Sequence, residues 1–257
     1  MKKNYILQLA LLISLLLSSC ASKEKIVYYN NYDQFVSQPI PKIETEIQVD
    51  DLLMIIVSAQ EPEAAMPFNL MSNLTVMRNN EAGGAQQQQQ MYLVDGNGNI
   101  EFPVLGKINV INQPKELVVK NLQEQISKYI KNPIVNLRIM NFKVTVQGEV
   151  NRPGVHTITT ERLTIPEALS LSGDLTIYGE RDNIILIREE AGERKFHRLD
   201  LNNADIINSP YFFLKQNDIV YVEPNKTRVN ASAVGPNASI FISIASLIIT
   251  IIALTVK

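Results

Sequence analysis

The sequence predicts an α+β protein: two small domains, followed by a C-terminal transmembrane helix. Three observations lead there. Short β-rich runs alternate with helical periodicity from Asp51 to Val222, the pattern changes character near residue 142, and Ser239–Val256 is an 18-residue run without a charge. Composition agrees, with 46% hydrophobic and 19% charged residues over 257 positions, which is globular with an apolar surplus at the two ends. The formal charge of −2 gives no basic footprint for nucleic acid. One cysteine excludes an internal disulfide framework, and two histidines leave little for metal or acid–base chemistry, so no cofactor is expected.

At the N-terminus, Met1-Lys2-Lys3 precedes an aliphatic stretch, Ile6–Leu17, and then Leu17-Ser18-Ser19-Cys20. A simple secretory peptide needs small residues at its cleavage site but no cysteine after them. Leu-Ser-Ser-Cys resembles the bacterial lipobox, and the resemblance implies that residues 1–19 are a lipoprotein signal peptide with Cys20 as the lipid attachment site. Residues 20–42 form a lipidated linker, and the two domains after it are expected in the periplasm. Ala21 after the cysteine resembles an outer-membrane address.

The first domain spans 43–141. Asp51–Val57 is a strand, and Glu61–Met91 is rich in Pro, Asn and Gly. The latter contains a Gln-rich insertion, 71–91, expected to be a disordered surface segment. Tyr92–Asp95, the turn Gly96-Asn97-Gly98-Asn99 and Ile100–Gly106 read as a strand and its returning partner. Apolar residues at 117, 118, 122, 126, 129 and 130 fall at helical spacing between Pro114 and Asn132-Pro133, and Ile134–Ile139 is a further strand.

The second domain spans 142–225. Val144 and Val146 alternate with polar neighbours, and Asn151-Arg152-Pro153-Gly154 turns the chain. Thr164-Ile165-Pro166-Glu167 is a capping box opening a helix that Gly173 ends. Ile184–Ile187 and Lys195–Leu199 flank a hairpin turn at Ala191-Gly192, and Asp218–Val222 is the last strand. His156 and His197 lie on these strands outside any metal or nucleophile motif. The pairs Asp50-Asp51 and Glu189-Glu190 define no acid–base geometry, so the chain does not read as an enzyme.

After a linker at 226–238 comes the apolar run 239–256. As a helix it would be about 27 Å long, near the span of a thin bilayer. Ser239, Ser243, Ser246 and Thr250 recur at steps of 4, 3 and 4 and share one face. That stripe admits three readings: hydroxyls bonded back to their own helix, a close-packed seam between helices, or a weakly polar pore lining.

Tyr92-Leu-Val-Asp-Gly-Asn-Gly-Asn-Ile-Glu-Phe-Pro-Val-Leu-Gly106 resembles the hallmark of the polysaccharide biosynthesis/export domain. Val146–Val155, Leu163–Leu169 and Gly173 resemble a soluble-ligand-binding β-grasp (SLBB-like) domain. In this order, behind a lipobox, they resemble the Wza-type outer-membrane polysaccharide export lipoproteins. Two departures stand out: Val49-Asp50-Asp51 replaces the usual Pro-Gly-Asp, and there is one β-grasp copy where well-known relatives have more.

The resemblance implies a capsular or extracellular polysaccharide as cargo, a homo-oligomer (an octamer in relatives) and membrane lipid around it. It also implies an inner-membrane polysaccharide co-polymerase, often a tyrosine autokinase, as partner. The C-terminal helices would line the polymer exit through Ser239, Ser243, Ser246 and Thr250, and Lys257 would reach the cell surface. The alternative is a non-channel, double-anchored periplasmic scaffold of an envelope complex.

Overall fold

A computed structural model describes residues 23–39, 45–74, 86–190 and 192–233, together with Ile240, Ser243, Ile244, Ser246, Leu247, Thr250 and Ile251. The architecture is α+β and closes on two hydrophobic cores. One runs from Ile47 to Leu137 and the other from Phe142 to Val222, with Ile139 packed against both.

In the first core, β1 (Leu52–Ser58) is the central strand of an antiparallel sheet. It lies between β4 (Tyr92–Leu93) and β7 (Ile134–Ile139). Alternation along β1 buries Leu53, Ile55 and Val57. Helix α2 (Lys115–Ile126) follows Pro114, whose fixed φ of −56° suits a helix start, and lays Val118, Leu122 and Ile126 on the sheet. Those three recur every four residues, one face of the helix. Burying each is worth roughly 1.5–3 kcal/mol.

Two expectations change here. The strand at Tyr92 pairs with β1 rather than with the strand after it, with Leu93 opposite Leu52. The Asp95 carboxylate accepts the Asn97 and Asn99 N–H groups at 2.9 and 2.8 Å, so the chain turns away. The next strand, β5 (Asn99–Phe102), instead pairs with β6 (Gly106–Asn109) across a tip at Pro103-Val104-Leu105. The second change is in the Gln-rich insertion. Its arms β2 (Met71–Leu74) and β3 (Gln86–Gln89) form an antiparallel ladder, with residues 75–85 outside the described residues. Ladder bonds are made by the backbone, so a glutamine tract can occupy a strand without an apolar pattern to announce it. A short helix, α1 (Pro62–Ala65), precedes β2.

The second core lies under a five-stranded sheet, ordered β12-β11-β14-β8-β9. These are β8 (Lys143–Gly148), β9 (Gly154–Thr157), β11 (Gly179–Glu190), β12 (Glu193–Leu199) and β14 (Ile219–Pro224). Only β14 and β8 run parallel, with Val220 beside Val146. Gly148 is required there, because at φ +94° a Cβ would stand 2.0 Å from the Val222 carbonyl oxygen. Helix α3 (Ile165–Leu171) packs on one face of the sheet through Ile165, Ala168 and Leu169. Its capping box forms, with Glu167 N–H donating to Thr164 Oγ1 at 3.3 Å and Thr164 N–H to Glu167 Oε2 at 2.7 Å. A two-stranded ladder of β10 (Leu163–Thr164) and β13 (Phe213–Leu214) closes this end.

The expected linker after residue 225 begins as helix α4 (Lys226–Ala233), where Asn225 Oδ1 accepts the Arg228 N–H at 3.0 Å. The expected transmembrane helix at 239–256 is corrected. Among the described residues, no helix is long and apolar enough to cross a membrane. The longest is α2, whose 12 residues extend about 18 Å against a hydrocarbon core of ~30 Å.

Candidate functional site

Of the residues that the sequence singles out, Cys20 and Ser239 lie outside the described residues. Ser243, Ser246 and Thr250 are helical and exposed. Ser246 Oγ donates to the Ser243 carbonyl at 3.0 Å and Thr250 Oγ1 to the Ser246 carbonyl at 2.8 Å. The Ser246 and Thr250 hydroxyls thus spend their protons on their own helix and keep acceptor capacity.

The N-terminal segment is bonded to the second domain. Tyr29 and Asn30 donate their N–H groups to the carbonyls of Leu201 and Asn202 at 3.0 and 2.6 Å. Asn31 Oδ1 accepts the Ala204 N–H at 2.7 Å, and Asn208 Nδ2 reaches the Val36 carbonyl at 3.2 Å. Tyr28 donates its hydroxyl to Asp174 at 2.6 Å, under the guanidinium of Arg181 at 5.5 Å from the ring centre. Burial, then the bond to Asp174, push the Tyr28 hydroxyl well above its ordinary pKa. Residues 28–36 therefore strap across the second domain, more than 140 positions away in sequence.

The two domains meet through a set of polar side chains. Gln216 is buried and makes three bonds: its Oε1 accepts the Lys143 N–H at 2.7 Å, and its Nε2 donates to the Asn141 carbonyl at 2.9 Å and to Asp51 Oδ1 at 3.3 Å. Asn141 accepts the Leu52 N–H and donates to the Asp50 carbonyl. Asp51 is fully buried, and that burial pushes its carboxyl up to about 6. Asp50 adopts φ +66°, so it makes by itself the left-handed turn at the position that resembles a family glycine. A further link between the domains is the ion pair of Lys115 Nζ with Glu161 at 2.6 Å.

A second buried charge lies outside the residues that the sequence singles out. Arg188 and Asp218 are 4% and 1% exposed and bond through Nε and Nη2, at 2.6 Å for the shortest contact. Arg188 also donates to the Phe213 carbonyl at 2.9 Å, and Asp218 accepts the Lys215 N–H at 2.7 Å. A signal existed: Arg188 continues the alternation of Ile184 and Leu186 on the buried face of β11. The two histidines are engaged locally. His156 Nε2 is 2.7 Å from the hydroxyl of buried Ser172, and His197 stacks on Tyr211 at 3.9 Å between ring centres.

Two family descriptions match side by side, one on each core. Residues 41–140 match the polysaccharide biosynthesis/export protein family, and residues 142–222 match the SLBB domain. In this order the two matches are those of a Wza-type polysaccharide export protein, which the chain resembles. Two curated proteins are similar to this chain. The EPS I polysaccharide export outer membrane protein EpsA of Ralstonia nicotianae is 29% identical over 198 residues, covering 74% of this chain and 51% of its own length. The protein of the same name in Ralstonia solanacearum is 28% identical over 153 residues, covering 57% and 40%. The chain thus spans about half the length, or less, of these curated relatives.

Proposed function

We propose that this chain is an outer-membrane component of a machine that exports a capsular or extracellular polysaccharide. The carrying observation is the ordered pair of family matches, each on a separately closed core. The relatives' names describe outer-membrane polysaccharide export, and neither describes an enzyme. The chain works as a homo-oligomer around the polymer path. Cys20 carries the lipid, and an inner-membrane co-polymerase hands over the polymer. Ser239, Ser243, Ser246 and Thr250 are the candidate polymer-facing residues of the C-terminal segment. Their hydroxyl oxygens accept hydrogen bonds from sugar without the grip of a charge.

The second reading, a non-channel scaffold of the export complex, is favoured by one observation: the Ser246 and Thr250 hydroxyls are already bonded within their own helix. Two strains separate the readings. Deletion of the gene should abolish surface polysaccharide, and normal surface polymer would overturn the export role. Replacing Ser246 and Thr250 by Leu should block export under the channel reading and leave it intact under the scaffold reading, with protein levels followed by immunoblot.

A further inference from the structure

A cleft of about 790 Å³ opens where the outer face of the second sheet meets the first domain. That volume lies within the range of small-molecule sites. Its floor is Ile187 of β11 and Ile219 of β14, which are neighbours in register on the face opposite α3. The apolar row continues outward to Phe196, opposite Ile187 on β12 and 68% exposed. The facing wall comes from the first domain, from Gln48, Val49 and Asn112 among others.

The walls are held in place before any ligand arrives. Asn217 Nδ2 donates to Gln48 Oε1 at 3.1 Å across the cleft, and the Gln216–Asp51 bond lies alongside. The Asn217–Gln48 bond uses one polar atom of each amide and leaves Gln48 Nε2 and Asn217 Oδ1 with capacity for a ligand.

Charges in the cleft nearly cancel. Glu46 lies 3.9 Å from Lys215, Glu190 lies 3.5 Å from Lys195, and Glu189 sits opposite Arg194 in the ladder. Arg188 below is matched by Asp218. Nothing there would recruit a polyanion or a polycation. What remains is an apolar floor with amides at its edge. That suits a ring that carries C–H groups on its face and hydroxyls around its rim.

We infer that the interdomain cleft binds a neutral, hydroxyl-rich glycan segment, its ring face on Ile187 and Ile219 and its hydroxyls on Gln48, Asn112 and Asn217. This rests on the polysaccharide export reading and names the chemical class of the segment bound.

The test is an amide NMR titration of the full chain with maltohexaose, cellohexaose and, as the acidic counterpart, hexagalacturonate. At least one neutral hexasaccharide should shift the side-chain amides of Gln48, Asn112 and Asn217, and the acidic one should not. Asn217→Gly keeps the left-handed backbone (φ +65°), removes the bond to Gln48 and should weaken binding roughly fivefold, with changes in the free protein's spectrum confined to the cleft and the joint. Glu189→Arg, an exposed change, should relax the rejection of hexagalacturonate.

The inference is overturned if neither neutral sugar binds, if the shifts map elsewhere, or if Asn217→Gly binds as well as the wild type. It is also overturned if the cleft amides shift on self-association without sugar, because a second copy then fills the cleft. The deletion strain keeps the two failures apart. Lost surface polymer with no sugar binding sinks this inference alone, and retained polymer sinks the export reading.

Discussion

Asp51→Asn tests the polar joint between the domains. The carboxylate is fully buried and its hydrogen-bond partners are neutral, the Gln48 N–H at 2.8 Å and the Gln216 amide at 3.3 Å. Burial raises its pKa from 3.8 to about 6, with those bonds pulling the other way and Asp50 adding to the rise. Unfolded, the group titrates near its ordinary value. Between about pH 4 and 6 the folded chain therefore holds more protons than the unfolded chain, and stability falls as pH rises. The contribution is complete below about pH 4 and gone above about pH 6. A shift of about two units corresponds to ~3 kcal/mol. Asparagine does not titrate, and its amide turns one N–H group toward a donor at a cost of about 1–3 kcal/mol that does not change with pH. The stability difference between variant and wild type should thus move by ~3 kcal/mol in the variant's favour from pH 4 to pH 7. Urea unfolding of both proteins at pH 4, 5, 6 and 7 measures it. An offset constant to within about 0.5 kcal/mol across that range would refute the reasoning.

Three further outcomes are expected from unfolding measurements. Val104 is a β-branched residue held at φ +67° on the exposed tip between β5 and β6, so Val104→Gly should stabilise by ~1 kcal/mol, and a loss would show that the tip is unstrained. Tyr92 stacks on Phe102 at 5.4 Å, and among the described residues its buried hydroxyl makes no well-formed hydrogen bond, only a weak approach to the Leu70 backbone. Tyr92→Phe should therefore cost nothing and gain about 1 kcal/mol, and a loss above that size would reveal a partner. Asp218→Ala should cost ~3–5 kcal/mol by stranding Arg188, while Asp218→Leu combined with Arg188→Met should cost far less, and additive losses would contradict the pairing.

Where a local signal matched a local cause, the sequence was readable. The capping box at Thr164 and Glu167 forms as its spacing implies, and Val118, Leu122 and Ile126 face the core as their period requires. The strands at Leu52, Ile134, Lys143 and Ile219 follow their apolar alternation. Pairing was less readable, because it depends on residues far away. Tyr92-Leu93 and Ile100–Phe102 both read as strands, yet the Asp95 turn sends one to β1 and the other to β6. The Gln tract carries no apolar pattern and still pairs through its backbone. The C-terminal run misled in the other direction, because an unbroken absence of charge suggested a spanning helix that the described residues do not provide. The site residues were the least visible. Gln216 and Asn141 look like loop amides, and only the folded chain brings them to Asp51.

The joint bears directly on how such a chain could assemble. Only Met140 and Asn141 stand between the end of β7 and Phe142 of the second core, too short a connection to act as a free tether. The angle between the domains is then fixed by side chains from both: Gln216 and Asn141 around Asp51, Asn217 on Gln48, and Lys115 on Glu161. A closed ring requires every protomer to present the same two surfaces at the same angle, and a loose joint would spread that angle and disfavour closure. The strap acts in the same sense on the N-terminal side. Tyr28 is held by Asp174, eight residues after Cys20, so the chain between them reaches at most about 29 Å. With Cys20 as the proposed lipid site, the strap would hold the second domain within that reach of the leaflet.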